Sequence, residues 1–556
     1  MGLKLCSILA SFCLCFLYVF VSHAADWSEG YENPPGGRPN PHQLSSSDFK
    51  SRVFEGKIHA QRYPVSTTGV LLPEEPIKRI LNNNDGNPIK LIFNQIFKAF
   101  VGVDDFNDLF RWLGLLEYPD EVNGLEQFVL PYPDGEKPDY LLGYSQIIEN
   151  ETKLLTMSCA TCHSGQLFGQ TVLGMSKRFP RANEFFIRGV SASKLYNRFI
   201  FKSYSKATDF EMFHLERSLN NLEAVGLKSP LTLGLDTSLA QVALSLNKRE
   251  DTEWAEKSSY YERWPRPDVL DHQPGDSKPA VWWNLKYKDR WLSDGSVISG
   301  NPIVTNLLWN EVGRGSDLKE FYDWLQDNSR IIEELTSAVF SIEAPRLEDF
   351  FDSSRIPKES ALKGEVLFNK TCTKCHGSHI KNWSLEEFKN SNWSTQIKTH
   401  RVDYPKKAKV KDVGTDPYRY MSMKSLEQLN KLRISKDFNV VIQAQEGYVP
   451  PPLVGIWARW PYFHNNSVPS LCAIFTPQDK RPKRYYSGSP LDKERHFDFE
   501  CNGYPTEAPR EWRTSEHLYD TRREGMANTG HDFVKDGEEM FTQEQKRNLI
   551  HFLQTL

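Results

Sequence analysis

Apolar residues recur at helical spacing in several stretches of the chain. Between 317 and 340, Phe321, Trp324, Leu325, Ile332 and Leu335 fall on one face, which predicts a helix. A second helix is read over 209–225. Near the C-terminus, Leu549, Phe552, Leu553 and Leu556 form an apolar stripe behind Thr542 and Gln545, whose spacing is that of a capping box. A further helix opens at Pro357 and runs through Phe368, with Gly364 and Phe368 four apart on one face. Glycine on that contact face allows a close crossing by the last helix. The periodicity breaks down elsewhere. Residues 25–60 are rich in Pro, Gly, Ser and Asn and read as an extended arm. Residues 61–150 alternate short apolar runs with Pro and Gly, with one helix around 89–101. The chain shows no internal repeat of its elements and no low-complexity tract.

The N-terminus follows a different pattern. Lys4 precedes an apolar run from Leu5 to Val21, and Ser22-His23-Ala24 offers small residues where a signal peptidase cuts. Residues 1–24 therefore read as a signal peptide cleaved after Ala24, with an uncleaved membrane anchor as the alternative. No later run is long enough to span a bilayer, so the mature chain is expected to be soluble, periplasmic or secreted. The 556 residues suffice for two or three domains, and 39% hydrophobic with 25% charged residues argue against wholesale disorder. A net charge of -4 gives no bulk basic field for nucleic acid.

Export changes the cysteine arithmetic. Cys6, Cys13 and Cys15 leave with the signal, and four of the remaining six fall in two pentapeptides. These are Cys159-Ala160-Thr161-Cys162-His163 and Cys372-Thr373-Lys374-Cys375-His376. Cys-x-x-Cys-His is the attachment signature of haem c: two thiols take the two vinyl groups of one ring, and the adjacent imidazole reaches the iron. A zinc site, a thioredoxin-like redox pair and chance are the alternatives; a four-cysteine zinc site has no need of His after both pairs. Two covalent haem c groups are expected. Cys472 and Cys501 are read as a disulfide, the alternative being two buried thiols.

Two haem motifs on one chain resemble the bacterial di-haem cytochrome c peroxidase superfamily. The resemblance extends to Trp460-Pro461-Tyr462-Phe463-His464-Asn465-Asn466-Ser467-Val468, where Asn466 stands in place of the usual Gly. Three segments are closer to the di-haem rubber oxygenase branch: Ala280-Val281-Trp282-Trp283-Asn284-Leu285-Lys286-Tyr287-Lys288, Arg484-Tyr485-Tyr486-Ser487-Gly488-Ser489, and Asn528-Thr529-Gly530-His531-Asp532-Phe533. The resemblance implies a mainly α fold with two cytochrome c-like haem domains, long loop insertions and an extended N-terminal arm. The expected organisation is a signal peptide over 1–24, an arm and extension over 25–150, and haem domains over 151–345 and 346–556.

His163 and His376 are the expected proximal iron ligands. Many di-haem peroxidases place a Met opposite the second haem, but no Met lies between Met423 and Met526. The resemblance implies His531 as sixth ligand of the second haem, with His464 as competitor and a surface or propionate-binding His as the plain reading. For the first haem, His42, His59, His214 and His272 stand in no motif, so that iron is expected to be open or weakly ligated. Trp282 and Trp283 are the candidate catalytic residues, relaying an electron or shaping the pocket; two core tryptophans are the alternative. Lys286 is a candidate propionate partner.

The sequence thus points to an exported di-haem c-type oxidoreductase. Its first haem would activate peroxide or dioxygen, and its second would store or transfer electrons. A redox partner or small-molecule oxidant is implied. A pure electron-transfer cytochrome with both irons six-coordinate, and a haem-based sensor, remain as alternatives.

Overall fold

The computed structural model describes residues 25–82, 95, 105–120, 128–194 and 196–556. The signal-peptide reading and the helix around 89–101 fall outside the described residues, the lone residue 95 apart. Of the described residues 41% are helical and 12% lie in strands, so the fold leans to α. The strands form small sheets, the largest among the described residues having three strands. No helix of the described residues is long and apolar enough to cross a membrane.

The second half is organised by one helix crossing. Helix Lys358–Thr371, with Pro357 at its N-cap, meets the last helix, Gln543–Gln554. At Gly364 a Cβ would lie 2.0 Å from the Asn548 carbonyl oxygen and 2.7 Å from the Phe552 Cβ. Only glycine permits this approach, and Phe368 then packs on Phe552 with ring centroids 5.1 Å apart. The last helix starts from the expected capping box, in which Thr542 and Gln545 exchange side-chain to backbone hydrogen bonds.

The stretch expected as one helix over 317–340 is two, Leu318–Asp327 and Ser329–Ser341, broken at Asn328. The helix expected over 209–225 runs from Asp209 to Glu223 behind a Thr208–Glu211 capping box.

The N-terminal arm departs most from its expectation. Residues Ser46–Gln61 form a helix rather than extended chain. It packs on helix Ser329–Ser341 through Gly56, where a Cβ would lie 2.0 Å from the Glu334 carbonyl oxygen. Arg52 and His59 pair with Glu334 across the contact, at 3.3 and 3.1 Å. The pattern hid this helix because its contact face is small, Gly56 and Ala60, and most of its other residues are polar or charged.

The chain over 61–150 also joins the first half. Strands Tyr144–Glu149 and Thr152–Met157 form a hairpin across residue 150, and Leu72–Pro73 pairs along the other edge of Thr152–Met157. The hairpin runs straight into the first haem motif. The main apolar core is continuous across residue 345, taking in Trp283 and Leu335 on one side and Phe368, Trp457 and Phe552 on the other.

Candidate functional site

Each Cys-x-x-Cys-His motif sits at the end of an ordered element. The first follows strand Thr152–Met157 and closes as a helical turn in which the His163 N–H donates to the Cys159 carbonyl at 3.0 Å. The second follows helix Lys358–Thr371, and the His376 N–H donates to the Cys372 carbonyl at 3.0 Å.

In both motifs the second ring nitrogen is aimed the same way. His163 Nδ1 lies 2.9 Å from the Ala280 carbonyl, and His376 Nδ1 lies 2.8 Å from the Pro451 carbonyl. A carbonyl only accepts, so each Nδ1 carries the proton and each Nε2 keeps its lone pair for a metal. Burial holds both rings neutral, pushing His163 down to about 4 and His376 down from its ordinary value.

A single cavity of about 560 Å³ is lined by both motifs. Cys159, Cys162, Cys372 and Cys375 are all free of disulfides. Among the described residues, no group of three or more His, Cys, Asp or Glu converges as a metal-ion site.

The cavity wall is strongly cationic. Lys177, Arg178, Lys278, Lys288, Arg314, Lys411, Arg419 and Arg459 line it, against one carboxylate among the described residues, Asp236. Arg419 is matched by buried Asp294 at 3.2 Å. Lys177 Nζ, Arg178 Nε and Arg459 Nε are buried without a hydrogen-bond partner among the described residues. Burial pushes Lys177 down to about 7, Lys288 to about 8 and Arg459 to about 10. A buried cation with no counter-charge is costly, so this wall is built for an anionic occupant. Haem propionates would supply that charge, and the Cys and His donors of the two motifs fit haem c.

His531 faces the second motif. Its ring centroid is 6.2 Å from that of His376, with the planes inclined by 62°. Two imidazoles on opposite sides of one iron, through bonds of about 2 Å, stand roughly 6 Å apart centre to centre. The spacing fits. Burial, reinforced by His376 and Arg481, pushes His531 down to about 4. Its backbone has φ of 46°, in the left-handed region, and its N–H donates to the Val413 carbonyl at 2.8 Å. Buried Arg481 holds the loop, donating to the carbonyls of Asn528 at 2.6 Å, Gly530 at 2.8 Å and His531 at 3.0 Å.

His464 is engaged elsewhere. Its Nε2 lies 3.0 Å from the Tyr448 hydroxyl and the two rings stack at 4.1 Å. His59 and His214 sit beside Glu334 and Glu149, and neither these nor His42 and His272 line the cavity. Asn466 adopts φ of 62°, the conformation a Gly would take at that turn.

Trp282 and Trp283 do not line the cavity. The Trp282 ring packs on His163 with centroids 5.3 Å apart, and the fully buried Trp283 indole N–H donates to the Val454 carbonyl at 3.0 Å. Lys286 turns from the cavity and pairs with Glu343 at 2.5 Å, which corrects its expected propionate role. Cys472 and Cys501 are joined as a disulfide. The cations of the wall escaped the sequence reading because they are scattered over 177–459 without a motif; only the adjacent pair Lys177-Arg178 hints at them.

The wall around the second motif also carries a family signature. A family model described as RoxA-like, cytochrome c-like matches residues 447–486. That span holds Tyr448, the Pro451 acceptor of His376, Arg459, His464 and Arg481. The match supports haem c binding and an oxidoreductase or electron-transfer role. Two proteins of Sinorhizobium fredii (strain NBRC 101917 / NGR234) are also similar. The uncharacterized protein y4iM is 26% identical over 197 residues, covering 32% of this chain and 43% of that protein. The uncharacterized protein y4iJ is 37% identical over 92 residues, covering 16% of this chain and 14% of that protein. The matched stretches thus span less than half the length of either relative.

Proposed function

We propose that this chain is an exported di-haem c-type oxidoreductase of the di-haem peroxidase and rubber oxygenase type. One haem is held by Cys159, Cys162 and His163, the other by Cys372, Cys375, His376 and His531. The observation that carries this reading is the asymmetry of imidazoles around one cavity. Among its described lining residues, His376 and His531 form a matched pair, His464 is bound to Tyr448, and His163 has no second imidazole beside it. A haem iron with two strong ligands moves electrons, whereas one with an open position binds peroxide or dioxygen.

The chain's own groups serve this division. The Ala280 and Pro451 carbonyls fix the tautomers of the two proximal imidazoles. The cationic wall would neutralise the carboxylates of a bound haem. Trp282 packs on His163, and Trp283 is hydrogen-bonded to Val454, three residues beyond the Pro451 carbonyl at His376, so the pair links the two proximal histidines through the 451–454 backbone. That link, and the absence of both tryptophans from the cavity lining, favours a relay role over a pocket-shaping one.

The test is a carbon monoxide titration of the reduced holoprotein, whose mass should exceed that of the chain by two haem groups. One carbon monoxide per two haems is expected. None would leave a pure electron carrier, and colour lost on acid-acetone extraction would remove the covalent assignment.

A further inference from the structure

We propose that the lobe of the cavity beside the first haem motif binds a neutral, hydroxyl-bearing organic substrate rather than a hydrocarbon or an ion. The inference rests on the oxidoreductase reading above and adds the substrate class to it.

Three helices build this lobe. Helix Pro302–Gly313 lines it with Asn306, Trp309, Asn310 and Gly313, which are three and four apart and so share one face. Helix Ser238–Asn247 contributes Ser238, Gln241 and Val242 on the same spacing. Helix Ala182–Ser193 contributes Asn183 and Phe186. Arg314 follows the first of these helices and ties the lobe to the motif. Its guanidinium donates to the Met157 carbonyl at 2.7 Å, two residues before Cys159. The His163 ring is held by Ala280 and Trp282, which lie on none of these helices.

Every lining side chain on the three helices is uncharged. That sets the lobe apart from the cationic wall described above. Arg314 is already engaged: it lies 4.0 Å from Glu311 and donates to the Thr68 and Thr156 hydroxyls at 3.1 and 3.3 Å. A carboxylate entering the lobe would find no unmatched cation on these helices.

The amides are held in one orientation. A carbonyl only accepts, so Gln241 Nε2 donates to the Gly313 carbonyl, at 2.7 Å. Gln241 Oε1 is then the acceptor for Asn183 Nδ2, at 2.8 Å. This leaves Asn183 Oδ1 as a fixed acceptor with no donor among the described residues. Trp309, one turn before Gly313, has the opposite want: its indole N–H is buried with no acceptor among the described residues. Asn310 Nδ2 donates to Asn306 Oδ1 at 3.2 Å, which leaves the Asn310 oxygen and the Asn306 NH2 open.

Unmatched acceptors thus stand beside unmatched donors, next to the apolar faces of Phe186 and Trp309. A hydroxyl both donates and accepts, so it answers the two kinds of group at once. A hydrocarbon leaves them bare, and a site built on such groups rejects the analogue that lacks the hydroxyl. The exposed lining residues of these helices, Ser238 and Asn306, are polar too, so the lobe meets solvent without an apolar rim.

The experiment is calorimetric titration of the holoprotein with benzyl alcohol, toluene, benzoate and benzylamine, which share a ring and differ in the head group. Benzyl alcohol should bind once per chain, at least tenfold tighter than the other three, and should shift the Soret band of the first haem. N183L removes the fixed acceptor and should abolish the preference over toluene. W309F keeps the ring, removes only the N–H, and should weaken benzyl alcohol about threefold or more, which covers the case in which N183L folds poorly. Toluene binding as tightly as benzyl alcohol, a preference for either ion, no binding of any probe, or a preference that survives both variants would overturn the inference. A protein that shows the preference but carries no covalent haem would instead refute the di-haem reading and leave the lobe as assigned.

Discussion

Replacing Arg481 by Ala removes the group that holds His531 in front of His376. The guanidinium makes three hydrogen bonds to the carbonyls of Asn528, Gly530 and His531, at 2.6, 2.8 and 3.0 Å. Its other donors reach Ala473, Ile474 and Thr476. A hydrogen bond to a charged group contributes roughly 1.5–3 kcal/mol, so the three bonds to the loop could contribute about 4–9 kcal/mol. The released loop regains water and relaxes the left-handed backbone at His531, so about 2–4 kcal/mol is the expected loss in holding the imidazole at the iron. At 1.4 kcal/mol per factor of ten, the ligand-off state rises by about 30- to 1,000-fold. The assay is the electron paramagnetic resonance of the oxidised holoprotein. R481A should gain a high-spin signal that added imidazole reverts to low spin, with the haem still covalently attached. Arg481→Lys, which keeps the charge but loses the fork, should fall between the two and covers the case in which R481A folds poorly. H531A should give the full high-spin signal. If H531A does so while both Arg481 variants keep the wild-type spectrum, the clamp argument is wrong. If H531A itself is silent, His531 is not a ligand.

Two further outcomes follow from the packing and the charge. Gly364→Ala puts a methyl 2.0 Å from the Asn548 carbonyl oxygen, so it should destabilise the crossing by about 1–3 kcal/mol or more, read as a lower denaturation midpoint. Burial lowers Lys177 to about 7 and Lys288 to about 8. Between those values and the ordinary lysine range the unfolded chain binds more protons, so this contribution to stability rises with pH there. Haem-free protein should therefore gain stability as pH rises from about 7 to 10, and haem attachment should flatten the rise by returning counter-charge to the lysines. A flat profile in the haem-free protein would show that these ammonium groups are already paired.

The sequence by itself determined what depends on near neighbours. The two Cys-x-x-Cys-His pentapeptides are local chemistry, and the helical turn that presents each one closes within the motif. The Thr542–Gln545 capping box and the glycine at the last helix crossing were equally legible, because a cap spans three residues and a close crossing demands a missing side chain. The Asn528–His531 motif marked the loop that faces His376, through resemblance rather than spacing.

Tertiary structure alone decided the rest. The arm helix is built on Gly56 and Ala60, whose contact face becomes apolar only once Ser329–Ser341 lies against it. The cations of the cavity wall come from residues hundreds of positions apart, and each is an unremarkable Lys or Arg until burial removes its water. What separates His464 from His531 is a Tyr448 hydroxyl 3.0 Å from the ring of the first and a 6.2 Å ring spacing from His376 for the second. Arg481 follows the same rule: its role depends on which carbonyls converge on it, and long-range convergence leaves no periodic trace along a chain.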